Sequence, residues 1–206
     1  MKVALIIGHN KRARGAYSQI LGREYDYWKG IAEKIKTEIP ELVDVYERKP
    51  NEYYTREMFE VLEELNKNNY KFCIELHFNA AESEQANGCE CLVYYKNNKA
   101  KELATNFMIR LQNKFDSKIR TKENTLKETE VVNGKEKIVE KKETTRGLIL
   151  VQDSKTRGAY GICKSKDTYI LIEPFFGSNN EESLKFSVES DVVNLFVDFI
   201  KEMWGG

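Results

Sequence analysis

The chain contains two histidines, and each follows an apolar run that is typical of a buried strand. His9 ends the first run and His77 ends the second, while Glu173 ends a third run in the same way. In an open α/β sheet, ligands bind at the carboxyl edge of the strands, so these three side chains are expected to meet in one crevice. Two imidazoles and carboxylates are the donors of a hydrolytic zinc site.

A third metal ligand must come from a carboxylate, because a catalytic zinc ion takes three protein ligands and keeps one position for water. Glu24 is favoured, since it opens a predicted helix whose N-terminal dipole helps to hold an anion. The competing carboxylates are Glu75, Asp26 and Glu90. Glu75 lies two residues before His77 on one strand, so both face the same side and both could reach a metal. The residue chemistry alone leaves Glu24 and Glu75 both open.

Glu173 stands among apolar neighbours in the segment 170–176. A buried carboxylate without a partner is costly, and apolar surroundings raise its pKa towards the range of useful proton exchange. This environment suits a general base that acts on water. The alternative is a structural salt bridge, for which the neighbouring sequence offers no obvious Lys or Arg.

Hydrophobic periodicity predicts the elements that position these residues. Strands are expected at 2–8, 42–48, 71–78, 89–95, 148–152 and 168–173, and helices at 24–39, from about 55 to 65, 99–115 and 189–203. Strands that alternate with helices predict an α/β fold: a single domain over residues 1–206 with a largely parallel twisted sheet flanked by helices.

Residues 121–146 interrupt this alternation with a segment crowded with Lys and Glu. Two β-prone arms flank Asn133-Gly134, and Asn-Gly is the strongest short hairpin signal. We expect a projecting, solvated β-hairpin inserted before the strand at 148. It could contact substrate, although a purely decorative role is favoured.

Composition narrows the function classes. The 206 residues carry 33 basic and 33 acidic side chains, so no net charge steers the chain to nucleic acid. No apolar stretch is long enough to span a bilayer, and the N-terminus lacks the features of a signal peptide. We therefore expect no nucleic-acid partner, no membrane span and synthesis in a cytoplasm.

Four segments, in this order, resemble the zinc-dependent N-acetylmuramoyl-L-alanine amidases of the amidase-3 type, which include bacterial cell-wall enzymes and phage endolysins. The resemblance runs from residue 3 to the C-terminus, except for roughly 118–146. The matching segments are Ile6-Ile7-Gly8-His9, Arg23-Glu24-Tyr25, Ile74-Glu75-Leu76-His77-Phe78-Asn79-Ala80 and Leu171-Ile172-Glu173-Pro174-Phe175-Phe176-Gly177-Ser178-Asn179.

The resemblance implies an amidase-3 fold of the phosphorylase/hydrolase-like kind, with His9, Glu24 and His77 as zinc ligands and Glu173 as the catalytic carboxylate. It also implies that Asn79 orients His77 or contacts the substrate. Two departures stand out. The glycine usual after the first histidine is absent at Asn10, and two Arg-Gly pairs, at 146–147 and 157–158, compete for one family element.

The expected activity is hydrolysis of the amide bond between N-acetylmuramic acid and L-alanine in peptidoglycan. A phage endolysin fits best: it would be made in the host cytoplasm without a signal peptide and would act on the wall after release. The alternatives are a zinc exopeptidase that cuts peptide stems and a non-catalytic wall-binding protein. The sequence leaves the oligomeric state open.

Overall fold

The computed structural model describes residues 1–132 and 135–205. Its strands are β1 (Lys2–Ile7), β2 (Tyr17–Ser18), β3 (Gly22–Arg23), β4 (Val43–Glu47), β5 (Tyr70–Leu76), β6 (Glu90–Tyr94), β7 (Thr121–Val132), β8 (Lys135–Arg146), β9 (Leu148–Val151) and β10 (Tyr169–Glu173). Its helices are α1 (Glu24–Glu38), α2 (Tyr54–Leu65), α3 (Asn98–Phe115), α4 (Ala159–Lys164), α5 (Asn180–Lys185) and α6 (Glu189–Gly205).

A six-stranded sheet with the order β4-β1-β5-β10-β6-β9 forms the centre of the fold. Neighbouring strands are parallel except β10 and β6, which are antiparallel. The predicted α/β fold with a largely parallel sheet is therefore confirmed. Because β6 runs in reverse, its first residue lies at the same edge as the carboxyl ends of β1, β5 and β10. That edge carries the site described below.

Helices cover both faces of the sheet because its central strands are apolar on both sides. On one face, α1, α3 and α6 bury side chains that include Trp28, Phe107 and Phe199. On the other face, α2 and α4 bury Leu62 and Ile162. In the described part of the chain, no helix is both long enough and apolar enough to cross a membrane.

The charged insertion forms a hairpin in which β7 and β8 pair in antiparallel register. The Asn133-Gly134 pair on which its prediction depended lies outside the described residues. The expectation of a solvated hairpin is wrong for its base, residues 120–126, where Leu126 is 3% exposed and belongs to the core. The Asn124 amide accepts from Leu150 N at 2.8 Å and donates to Leu148 O at 3.1 Å. The base of β7 thus covers the outer edge of β9, which would otherwise be an exposed sheet edge.

Candidate metal centre

His9 leaves β1 in an unusual backbone conformation. Its φ of 66° lies in the left-handed region, which few residues other than glycine adopt. Arg48, a buried side chain from the segment after β4, donates from Nε to the His9 carbonyl oxygen at 3.2 Å. The chain therefore turns sharply at the end of β1, and the imidazole of His9 meets that of His77 edge-on, with ring centroids 5.0 Å apart.

Glu24, the first residue of α1, lies between the two imidazoles and is 2% exposed. Its Oε2 is 3.1 Å from His9 Nε2, and its Oε1 is 2.9 Å from His77 Nδ1. The same oxygens accept backbone N–H groups from Ala16 at 2.9 Å and Phe78 at 3.0 Å. One carboxylate thus joins the loop after β1, the start of α1 and the end of β5.

The surroundings of Glu24 keep its carboxylate ionised. Burial alone would raise the pKa of Glu24, but hydrogen bonds with His77 and His9 outweigh it and hold that pKa well below its usual range. Burial opposes a charge on His77, yet hydrogen bonds to Glu24 and Glu75 raise the pKa of its imidazole to about 10. Without a metal, a proton on His77 therefore balances part of the negative charge, and a metal ion would displace that proton.

Two glycines allow this close approach. A Cβ atom at Gly15 would lie 2.4 Å from Glu24 Oε2 and 2.5 Å from His9 Cδ2, and Gly15 itself has a φ of 74°. A Cβ atom at Gly8 would lie 2.6 Å from His77 Cε1. Any larger residue at either position would push against the cluster, so the loop after β1 is shaped around these side chains.

The donor set fits a divalent transition metal. The ligand atoms of His9, Glu24 and His77 all lie within 4.8 Å of one another, the one such group of His, Cys, Asp or Glu donors in the described residues. Two imidazoles and one carboxylate form a donor set found in catalytic zinc sites.

Glu173 lies at the end of β10, which neighbours β5 in the sheet. His77 follows β5 directly, and its backbone N–H donates to Ile172 O of β10 at 3.1 Å. Burial raises the pKa of Glu173 to about 7; the imidazole of His77 opposes this rise and the carboxylate of Glu90 adds to it. The Asn79 amide nitrogen donates to Glu173 Oε2 at 2.9 Å. Glu173 is thus a half-buried carboxylate whose pKa suits proton transfer near neutral pH.

Glu90, the first residue of β6, stands opposite Glu173 in the sheet register and is 4% exposed. The Asn79 amide nitrogen also donates to Glu90 Oε1, at 3.0 Å. On the other oxygen, Oε2, Arg120 Nε lies at 2.6 Å and Lys122 Nζ at 3.0 Å. Two cations at the base of the hairpin therefore neutralise a carboxylate that neighbours Glu173.

The other residues that the sequence suggested lie outside the His9–Glu24–His77 cluster. Asp26 is exposed and pairs with Arg14, away from the imidazoles. Glu75 contacts His77 at its other nitrogen, Nε2, at 3.0 Å. Glu90 neighbours Glu173 instead of the His9–Glu24–His77 cluster. The amide of Asn79 bonds to the two carboxylates beside it, and its predicted contact with substrate stays a prediction.

Sequence reasoning missed an arginine that lies beside Glu90. Arg146 donates to Gln112 on α3 at 2.7 Å, and Arg157 is exposed in the turn before α4. Arg120 instead pairs with Glu90 and stacks over the Phe176 ring, with Cζ 4.8 Å from its centroid. Nothing local in the sequence marks Arg120, because it reaches Glu90 only through the pairing of distant segments.

Comparison with known protein families gives a match over residues 3–197 to the family described as Amidase_3, N-acetylmuramoyl-L-alanine amidase. A comparison with curated proteins gave no match.

Solved structures of similar fold cover almost the whole chain. The catalytic domain of the CD27L endolysin, described as targeting Clostridia Difficile, has a TM-score of 0.68 at 24% identity, over 98% of this chain and 97% of that one. The amidase AmiC2 of Nostoc punctiforme has a TM-score of 0.67 at 15% identity, over 100% and 98%. The CwlD amidase from Clostridioides difficile, solved with the GerS lipoprotein, has a TM-score of 0.65 at 16% identity, over 100% and 99%.

Proposed function

The chain belongs to the N-acetylmuramoyl-L-alanine amidase family, and from that premise we propose that it is a zinc-dependent hydrolase of peptidoglycan. The bond cleaved is the amide between the lactyl group of N-acetylmuramic acid and L-alanine. The observation that carries the proposal is the convergence of His9, Glu24 and His77, whose ligand atoms lie within 4.8 Å of one another at the carboxyl edge of the sheet.

In this proposal His9, Glu24 and His77 hold the zinc ion. When bound, zinc supplies Lewis acidity, which polarises a carbonyl group and makes water easier to deprotonate. The ionised state of Glu24 supports this role, because a carboxylate ligand must be deprotonated. Its backbone partners Ala16 and Phe78 fix the carboxylate before any metal arrives.

Glu173 acts as the general base. Its carboxylate accepts a proton from the water that attacks the lactyl carbonyl carbon, and it returns that proton to the nitrogen of the leaving alanine. The products are a lactyl carboxylate on the glycan and a free alanine amino group. A pKa of about 7 suits both transfers. The Asn79 amide donates to one oxygen of Glu173 and so holds the carboxylate in place.

We further propose that residues 1–206 act as one catalytic domain and that the protein works as an endolysin, made in a host cytoplasm and acting on the wall after release. The support for an endolysin is the match to the CD27L catalytic domain, which covers 98% of this chain.

Digestion of purified peptidoglycan tests the proposal. Mass spectrometry should find intact glycan chains and stem peptides with new alanine N-termini, formed with zinc and abolished by a chelator. Zinc added back to the chelated protein should restore these products. New ends inside the stem peptide would instead identify an exopeptidase, and unchanged peptidoglycan would identify a binding protein; either result would overturn the proposal.

A further inference from the structure

Glu75 is a fully buried carboxylate that the proposed reaction does not use. It lies on β5 and is 0% exposed. Both of its oxygens have partners: Oε1 is 3.0 Å from His77 Nε2, and Oε2 accepts the Tyr169 hydroxyl at 2.8 Å. A buried carboxylate costs free energy unless such bonds satisfy it, so this arrangement calls for an explanation.

We propose that Glu75, supported by Tyr169, is the positioning residue that orients His77 for metal binding through Nδ1. The inference depends on the proposed role of His77 as a ligand. A histidine that binds a metal through one ring nitrogen donates its other N–H to a carboxylate, a carbonyl or water. In this chain the two nitrogens are already divided: Nδ1 faces Glu24 and Nε2 faces Glu75.

The direction of the His77 ring also separates the two carboxylates that the residue types left open. Glu24 contacts both imidazoles, whereas Glu75 contacts His77 alone, on the nitrogen directed away from Glu24. Glu24 therefore occupies the position of a ligand. Glu75 occupies the position of the group that holds a ligand in place.

Close packing fixes both ends of the line from Tyr169 to His77. A Cβ atom at Gly8 would lie 2.7 Å from His77 Nε2, so the backbone of Gly8 lies directly against the imidazole. A Cβ atom at Gly161 would lie 2.5 Å from the Tyr169 hydroxyl oxygen, so α4 packs directly against the phenol. Neither ring can swing far, and Glu75 joins them across the same face of the sheet.

Zinc affinity, measured by competition with a chelator, tests this inference. Glu75→Gln keeps the shape of the side chain but removes its charge, and it should weaken zinc binding by about 10- to 100-fold. Tyr169→Phe should weaken zinc binding less, because Glu75 keeps its bond to His77. Circular dichroism should show both variants folded; Tyr169→Phe provides the test if Glu75→Gln does not fold.

Tyr70→Phe is the matched control. Tyr70 is 4% exposed, and its hydroxyl donates to Asp44 Oδ2 at 3.1 Å, at the opposite end of β5. This variant also removes a tyrosine–carboxylate hydrogen bond, but far from the imidazoles, so zinc affinity should stay within about twofold of the wild type. An equal loss in Tyr70→Phe and Tyr169→Phe would overturn the inference.

A spectroscopic measurement examines the orientation directly. Because the chain has 2 histidines, ¹⁵N-imidazole labelling gives a spectrum of only two rings. In the zinc-loaded protein His77 should carry its proton on Nε2, and a proton on Nδ1 would overturn the inference. If His77→Ala abolishes zinc binding while Glu75→Gln leaves the affinity unchanged, the inference fails and the proposed function stands. Stoichiometric zinc in His77→Ala would refute the proposed function itself.

Discussion

Glu24 and Glu173 are two carboxylates at the same edge of one sheet, and their surroundings move their pKa values in opposite directions. Glu24 lies between two imidazoles, whose hydrogen bonds overcome the effect of burial and keep it ionised. Glu173 has an amide and another carboxylate as neighbours, and burial raises its pKa to about 7. Such a separation distinguishes a group that holds a cation from one that exchanges protons.

The two carboxylates need different surroundings. On the Glu24 side, three elements must bring their side chains within bonding distance of a single point. On the Glu173 side, the carboxylate must stay near a partner that does not neutralise it, and the Asn79 amide meets this demand. Substitutions on the two sides should therefore fail in different ways, and the predictions below use that difference.

The largest effect is expected on the Glu24 side. His77→Ala removes one of the three donors, so zinc and activity should be lost together. Metal analysis of the purified variant, beside wall digestion, measures both. Circular dichroism should show that the fold is retained. A variant that kept one zinc per chain would show that the metal lies elsewhere.

A large effect is also expected on the Glu173 side, but there activity should be lost while zinc is retained. Glu173→Gln keeps the hydrogen bond from Asn79 in reach but cannot accept a proton, so the rate should fall by about 10²- to 10⁴-fold. Zinc content should equal that of the wild type. Metal loss in this variant would move Glu173 into the set of ligands and would remove the contrast with Glu24.

The sequence revealed the two sides unequally. His9, His77 and Glu173 could be found because each follows an apolar strand, and parallel strands deliver their ends to one edge. Glu90 could not be placed, because the first residue of a strand in a parallel sheet lies at the opposite edge. Because β6 runs antiparallel to β10, Glu90 lies beside Glu173. Nothing in the local sequence indicates that β6 runs in this direction.

The loop after β1 shows the same limit. Its glycines predict a turn, but only the folded chain reveals that Gly15 lies against His9 and Glu24. The hairpin was predicted from its Asn-Gly signal and the β-prone arms on either side of it. The docking of its base on β9 depends on Asn124 and Leu126, and nothing in the surrounding charged sequence distinguishes these two residues.

A smaller effect on the Glu24 side should come from Gly15→Ala. The added methyl group collides with Glu24 and His9, so zinc should bind about 10-fold more weakly or worse. Gly22→Ala is the control: Gly22 has a similar φ of 78°, but nothing lies within 4 Å of its added Cβ atom. Both variants should lose about 1 kcal/mol of stability from backbone strain, measured by denaturant unfolding. Equal zinc affinities would show that the loop yields easily.

The pH dependence of activity provides a finer test of the Glu173 side. A general base must be ionised, so activity is present above the pKa of Glu173 and is lost as the pH falls through it. That pKa is about 7 in the metal-free chain, and a bound cation favours the ionised carboxylate. The acid limb of kcat/KM is therefore expected at or below pH 7. A limb well above that value would assign it to another group.

The smallest effect should come from the charges beside Glu173. Glu90→Gln removes a neighbouring negative charge, so the pKa of Glu173 should fall and the acid limb of kcat/KM should move to lower pH by up to about one unit. Lys122→Met removes a cation from the same cluster and should move the limb the other way. Opposite shifts at constant zinc content would mean that the hairpin base tunes the general base through Glu90. If the limb moved in neither variant, the pKa of Glu173 would be independent of Glu90 and Lys122, and its contrast with Glu24 would not depend on the hairpin.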